Sequence, residues 1–221
     1  MKIDTVIFDL DGTLINSLGD IHSSFNYALE TCGYEPRTIE QVKGYVGNGI
    51  KKAFERALGD DIEEGASDEL VELFKYHYTS HLYELTEPYE GIPEVLKYLK
   101  QHDYLMAIVS NKYDLAVKEL SAKFFSEYIS VAIGEGGNYG RKPCADGIIK
   151  VLGKLGKGLE NVIYVGDSEV DIKTAINANI PCISVLWGFK SKEFLQEHGG
   201  KVFAQTPNDI IKIIEKKLYL V

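Results

Sequence analysis

Cysteine is scarce in this 221-residue chain, which holds only Cys32, Cys144 and Cys182. The count is odd, the positions are scattered and no C-x-x-C occurs, so neither a disulfide framework nor a cysteine zinc site is expected. No apolar run approaches the length that spans a bilayer. Asp4 and Asp9 interrupt the amino-terminal apolar stretch, which therefore lacks the form of a signal peptide. Positive charge is also short: 24 Lys and Arg against 33 Asp and Glu leave a net charge of −9. That balance argues against a nucleic-acid or anionic-membrane surface, yet a few local cations and a metal can still bind phosphate inside an acidic protein. Internal repeats and low-complexity tracts are absent. The expectation is a cytoplasmic protein, monomer or homodimer, whose partner is a small molecule rather than nucleic acid or membrane.

Short apolar runs at Thr5–Phe8, Leu105–Val109, Ile129–Ile133, Val162–Val165, Cys182–Leu186 and Val202–Ala204 read as strands. Helical spacing falls between most of them, at Ile92–Lys100, Leu115–Phe124, Ile148–Leu155 and Ile172–Ala178, and a last helix is expected over Asp209–Leu218. This alternation predicts an α/β fold, a doubly wound parallel sheet with helices on both faces. It fails between Leu14 and Glu87, where only helices are predicted: Leu18–Thr31, Ile39–Tyr45, Ile50–Leu58 and Glu69–Tyr83. Ser17 and Asp20 read as the start signal of the first of these. The predicted organisation is a core of residues 1–14 and 88–221 with a helical insert, residues 15–87.

Chemistry sits where the strands end. The first strand runs into Asp9-Leu10-Asp11-Gly12-Thr13-Leu14. Alternation along a strand sends both aspartates to one side, where they repel unless a cation or a shared proton intervenes. The second ends in Ser110-Asn111-Lys112, whose hydroxyl and amide can hold phosphoryl oxygens, although Ser and Asn also mark ordinary turns. A glycine-rich stretch, Gly134–Gly140, delivers Arg141-Lys142-Pro143, and Lys142 can neutralise phosphate charge. The fourth strand gives Gly166-Asp167-Ser168-Glu169-Val170-Asp171, with Asp167 and Asp171 one helical turn apart. Hard carboxylate oxygens of this kind suit Mg²⁺. His77 and His81 lack the H-E-x-x-H pattern, and the tyrosines of the insert, such as Tyr76 and Tyr83, are expected to be packing residues.

Taken together, the order D-x-D-G-T, Ser-Asn, Lys-Pro, G-D-S-x-x-D resembles the motifs of haloacid dehalogenase superfamily phosphatases. The helical insert is similar to that superfamily's cap. Gly44-Tyr-Val-Gly-Asn-Gly49, Arg56-Ala-Leu58 and Trp187-Gly188-Phe189 resemble segments of the phosphoglycolate phosphatase group. Two positions depart from the pattern: Ala145 replaces a second proline after Lys142, and Asn179 stands where relatives commonly have Gly, a swap Asn tolerates because it enters the left-handed region readily. The resemblance implies a Rossmann-like core and a Mg²⁺-dependent hydrolase of a small phosphorylated metabolite, phosphoglycolate first. It implies Asp9 as nucleophile and Asp11 as general acid/base. The metal would be held by Asp9, the backbone carbonyl of Asp11, and Asp167. Asp171 would act through water or orient Lys142. Gly12, Ser110, Asn111 and Lys142 would bind phosphoryl oxygens, and Gly47, Asn48 and Gly49 in the cap would face the substrate. A phosphosugar mutase uses the same core residues, and a non-catalytic phospho-acceptor module shares the acidic residues, magnesium and lysine.

Overall fold

The computed structural model describes residues 2–59 and 66–219. Val6, Ile7 and Phe8 are wholly buried in β1 (Thr5–Phe8), as a continuous apolar strand of a parallel sheet covered on both faces should be. The chain divides into two compact units, one comprising the start through Ile15 together with everything from Pro88 onward, the other Asn16–Glu87. Two short segments, β2 (Ile15–Asn16) and β3 (Glu87–Pro88), form a small separate sheet.

The Asn16–Glu87 unit is helical: α1 (Leu18–Thr31), α2 (Ile39–Tyr45), α3 (Ile50–Leu58) and α4 (Ala66–Ser80). An aromatic column forms its core. Phe25 stacks on Phe54 at 4.2 Å between ring centroids, and Phe74 meets Phe54 edge-on and stacks on Tyr78 at 5.1 Å. The fully buried tyrosine is thus Tyr78; Tyr76 is 73% exposed and Tyr83 39%, so the packing role expected of those two falls to a neighbour on the inward helix face. Thr38 and Gln41 close a capping box on α2. The expected start signal of α1 works differently, because the Ser17 side chain makes no cap bond. Asp20 is buried instead. Its carboxylate accepts hydrogen bonds from the Leu85 and Thr86 backbone N–H groups and from Thr86 Oγ1, at 2.7 to 2.9 Å. Replacing Asp20 by Ala would strand two buried donors, and the expected loss is about 2–4 kcal/mol of unfolding free energy, read from urea titrations.

The other unit holds a six-stranded parallel sheet, in the order β5-β4-β1-β6-β7-β8. Its further strands are β4 (Leu105–Tyr113), β5 (Val131–Glu135), β6 (Val162–Gly166), β7 (Cys182–Val185) and β8 (Val202–Ala204). The helices are α5 (Ile92–Gln101), α6 (Asp114–Phe125), α7 (Asp146–Leu155), α8 (Glu169–Asn177), the short α9 (Lys192–Glu197) and α10 (Pro207–Glu215). Phe8 lies opposite Ile108 on one side and Val165 on the other, so β1 is central. From β1 the connections run first to β4 and later to β6, which makes the carboxyl end of β1 the topological switch point. One core layer gathers Ile7, Val109, Ile133, Ile148, Leu152 and Tyr164. Asn179 closes the turn after α8 with φ of 54°, the left-handed conformation expected of it. Among the described residues no helix is long and apolar enough to cross a membrane.

Candidate active site

Asp9 leaves β1 at the switch point, and Asp167 leaves β6 beside it. Asp171 sits in the first turn of α8, where a capping box holds it. Its Oδ2 accepts from the Ser168 N–H (3.0 Å) and Ser168 Oγ (2.6 Å). Asp9, Asp167 and Asp171 are all buried, and each offers a carboxylate oxygen within 4.8 Å of the others.

The cation among them is Lys142, only 4% exposed. Its Nζ lies 2.8 Å from Asp9 Oδ1 and 2.7 Å from Asp171 Oδ1, and donates to Tyr164 Oη at 3.1 Å. Tyr164 in turn donates to the Val109 carbonyl at 2.9 Å. Burial pushes the Asp9 carboxyl up to about 7; Lys142 pulls it down, while Asp171 and Asp11 add to the rise. Burial likewise raises Asp167 well above the usual carboxylate range, helped by the charges of Asp171 and Asp9. Lys142 is held well above its ordinary value because Asp171 and Asp9 outweigh its own desolvation.

Asp11 has a separate partner. Lys112 Nζ donates to Asp11 Oδ1 at 2.9 Å, and the lysine side chain is only 6% exposed. The strand β4 extends through the Ser110-Asn111-Lys112 segment, and its register against β5 shifts between Val109 and Tyr113. Such irregularities re-aim side chains at strand ends. Asn111 Nδ2 donates to the Lys142 carbonyl at 3.1 Å, so part of this amide holds the lysine loop in place. Ser110 and Asn111 are both buried.

Gly12 follows Asp11 in the turn after β1. Its N–H donates to the Ile15 carbonyl at 2.9 Å. What the position requires is the missing side chain: φ is +81°, and a Cβ would come within 2.3 Å of Asp167 Oδ2. Gly188 is similarly constrained, because a Cβ there would meet the Asp167 Cβ at 2.3 Å. The adjoining Phe189 N–H donates to Asp167 Oδ2 at 2.7 Å, and Trp187 Nε1 to the Thr13 carbonyl at 3.1 Å. Gly12→Ala is therefore expected to displace Asp167 and to lower turnover at this site by about 100-fold or more, measured under saturating substrate.

Sequence reasoning gave no role to Lys112, Tyr164 or the Phe189 N–H. Lys112 followed the quoted Ser-Asn pair, and Tyr164 was a polar-tipped residue inside an apolar run, which needs a buried partner for its hydroxyl. Gly47, Asn48 and Gly49 lie in the connection between α2 and α3, with Gly47 at φ 111° and Gly49 as the α3 N-cap at φ 72°.

The six side chains Asp9, Asp11, Asp167, Asp171, Lys112 and Lys142 carry a surplus of two negative charges when all are ionised. A divalent cation with a preference for carboxylate oxygen fits that surplus.

Comparison with known proteins gives a consistent picture. The family model of the haloacid dehalogenase-like hydrolases matches residues 6–185. A phosphoglycolate phosphatase of Aquifex aeolicus is 32% identical over 96% of this chain and 97% of its own length. The pyrophosphatase PpaX of Halalkalibacterium halodurans is 30% identical over 98% of this chain and 99% of its own. A crystal structure from Lactobacillus delbrueckii subsp. bulgaricus, described as a candidate phosphoglycolate phosphatase, superposes with a TM-score of 0.93 at 33% identity, covering 97% of this chain and 99% of that one.

Proposed function

This chain belongs to the haloacid dehalogenase-like hydrolases and is a phosphatase, and from that premise we propose that it works through an aspartyl-phosphate on Asp9 with Mg²⁺ as cofactor. The observation that carries the reading is the pairing of two carboxylates with two buried lysines at the switch point: Asp9 with Lys142, Asp11 with Lys112.

A carboxylate oxygen of Asp9 attacks the phosphorus, and the bond from phosphorus to the leaving oxygen breaks. Asp11 gives its proton to that oxygen. It then takes a proton from the water that attacks the phosphorus, and the Asp9 carboxylate departs as phosphate is released. Lys142 offsets the phosphoryl charge beside Asp9, while Asp171, with both oxygens engaged by Lys142 and Ser168, acts as the anchor of that lysine. Ser110 and Asn111 are proposed to bind phosphoryl oxygens. Mg²⁺, held by Asp9, the Asp11 backbone carbonyl and Asp167, supplies charge neutralisation when bound. The loop residues Gly47, Asn48 and Gly49 are proposed to tune substrate choice.

The first substrate is 2-phosphoglycolate, the reading favoured by relatives named phosphoglycolate phosphatase. Pyrophosphate is the second, because full-length relatives at 30% identity are named pyrophosphatase. Phosphatase names among the relatives also favour hydrolysis over a mutase reaction. The test is phosphate release from each compound with Mg²⁺ and with EDTA. Metal-dependent release from either supports the reading. Undiminished release in EDTA would remove the metal from it, and rearranged sugar phosphate without free phosphate would remove hydrolysis.

A further inference from the structure

The two enclosed lysines pair with different aspartates of the site. Lys142 stands on the nucleophile side, 2.8 Å from Asp9. Lys112 stands 2.9 Å from Asp11, the group that meets the leaving oxygen in the reading above. Lys112 comes from the irregular end of β4 and is almost fully enclosed, with 6% of its side chain exposed. An ammonium beside the carboxylate that protonates the leaving group also lies beside whatever atoms that leaving group carries. It is a compact point charge with three donors, suited to an anion and of little use to a neutral alcohol.

The substrates weighed above share this chemistry. Cleavage of 2-phosphoglycolate releases an alcohol bearing a carboxylate, and cleavage of pyrophosphate releases phosphate. In both, the departing portion is itself an anion. We propose that Lys112 binds the anionic group of the leaving portion and so makes the enzyme selective for phosphate esters and anhydrides with an anionic leaving group. This rests on the phosphatase reading with Asp11 as general acid/base. No covalent step is added; Lys112 contributes a charge-assisted hydrogen bond to the substrate.

Lys112 could instead do no more than orient Asp11, and the two roles separate experimentally. The probe pair is 2-phosphoglycolate and 2-hydroxyethyl phosphate, which differ by a carboxylate against a neutral hydroxymethyl group. The wild-type protein is expected to favour 2-phosphoglycolate in kcat/KM by about 30- to 300-fold. Lys112→Met is expected to lower kcat/KM for both esters, because Asp11 loses its ion-pair partner, and to lower it a further roughly 10-fold or more for 2-phosphoglycolate, so that most of the preference is lost. Lys112→Arg, which keeps the charge, is expected to retain part of the preference, and thermal melts establish that both variants fold. Equal losses on the two esters would overturn the proposal and leave Lys112 as a positioning residue for Asp11. A wild-type enzyme that cleaves both equally well would overturn the selectivity while leaving the phosphatase reading intact. Failure to cleave either, or pyrophosphate, would overturn both.

Discussion

Asp9→Asn is expected to lower phosphate release by about 10⁴-fold or more while raising the melting temperature of the protein in EDTA. In the proposed mechanism the first effect follows from the loss of the attacking oxygen. The second follows from burial. Desolvation, with the charges of Asp171 and Asp11, pushes the Asp9 carboxyl from 3.8 up to about 7 against the pull of Lys142. An amide has no charge to desolvate, and Lys142 keeps its partner Asp171 at 2.7 Å. The sign of the pH dependence follows. Below pH 3.8 the group is protonated in both folded and unfolded chains and contributes nothing. Between 3.8 and about 7 the unfolded chain gives up the proton while the folded one keeps it, so stability falls as pH rises. Above about 7 the penalty is complete. Melting curves in EDTA from pH 4 to pH 8 should therefore show a downward slope in the wild type that Asp9→Asn flattens, with the variant melting higher by roughly 5 °C at pH 8. A variant that melts lower there would contradict the reading of Asp9 as a buried carboxylate destabilised by its desolvation.

Lys142→Met is expected to harm stability and catalysis together. It removes the ammonium shared by Asp9 and Asp171, the second of which is wholly buried. Breaking a buried pair from one side leaves the other charge uncompensated, at a cost of about 3–5 kcal/mol. Phosphate release should fall roughly 10³-fold, because the charge developing on the phosphoryl oxygens loses a fixed partner. Adding Asp171→Asn to Lys142→Met removes the orphaned charge and should recover part of the urea midpoint without recovering turnover. Strict additivity of the two stability losses would show that the residues are not coupled.

The contrast between these positions shows what the sequence can and cannot disclose. The strand Thr5–Phe8, the helices Leu18–Thr31, Ile39–Tyr45 and Ile50–Leu58, and the strand Val202–Ala204 coincide with their expected limits, because apolar spacing and capping residues are local signals. Strand β4 outruns its apolar run by four residues, since pairing with β5 resumes at Tyr113 beyond the polar Ser110-Asn111-Lys112 segment. Helix α8 begins at Glu169, earlier than its apolar period suggested, because the Ser168–Asp171 capping box opens it. Motif residues announce themselves through rare spacing, and Asp9, Asp167, Asp171 and Lys142 do come together. The Lys112–Asp11 pair joins positions 101 apart in the chain, and the hydroxyl of Tyr164 reaches Val109 across 55. No periodicity encodes such contacts; they depend on strand order and on where a register shift turns a side chain. Asp20 shows the same limit within the helical unit, where an apparent helix-start residue spends its carboxylate on Leu85 and Thr86.

The measurement that bears most directly on the mechanism is acid quenching of the Asp11→Asn protein with Mg²⁺ and p-nitrophenyl phosphate, whose leaving group departs without protonation, followed by peptide mass spectrometry. Without the proposed general base for hydrolysis the covalent species should persist. The expected result is a phosphoryl adduct on the peptide containing Asp9, labile to hydroxylamine and missing when Asp9 is also replaced by Asn. Phosphate release at wild-type scale from Asp9→Asn protein, or an adduct on any other residue, would contradict the account.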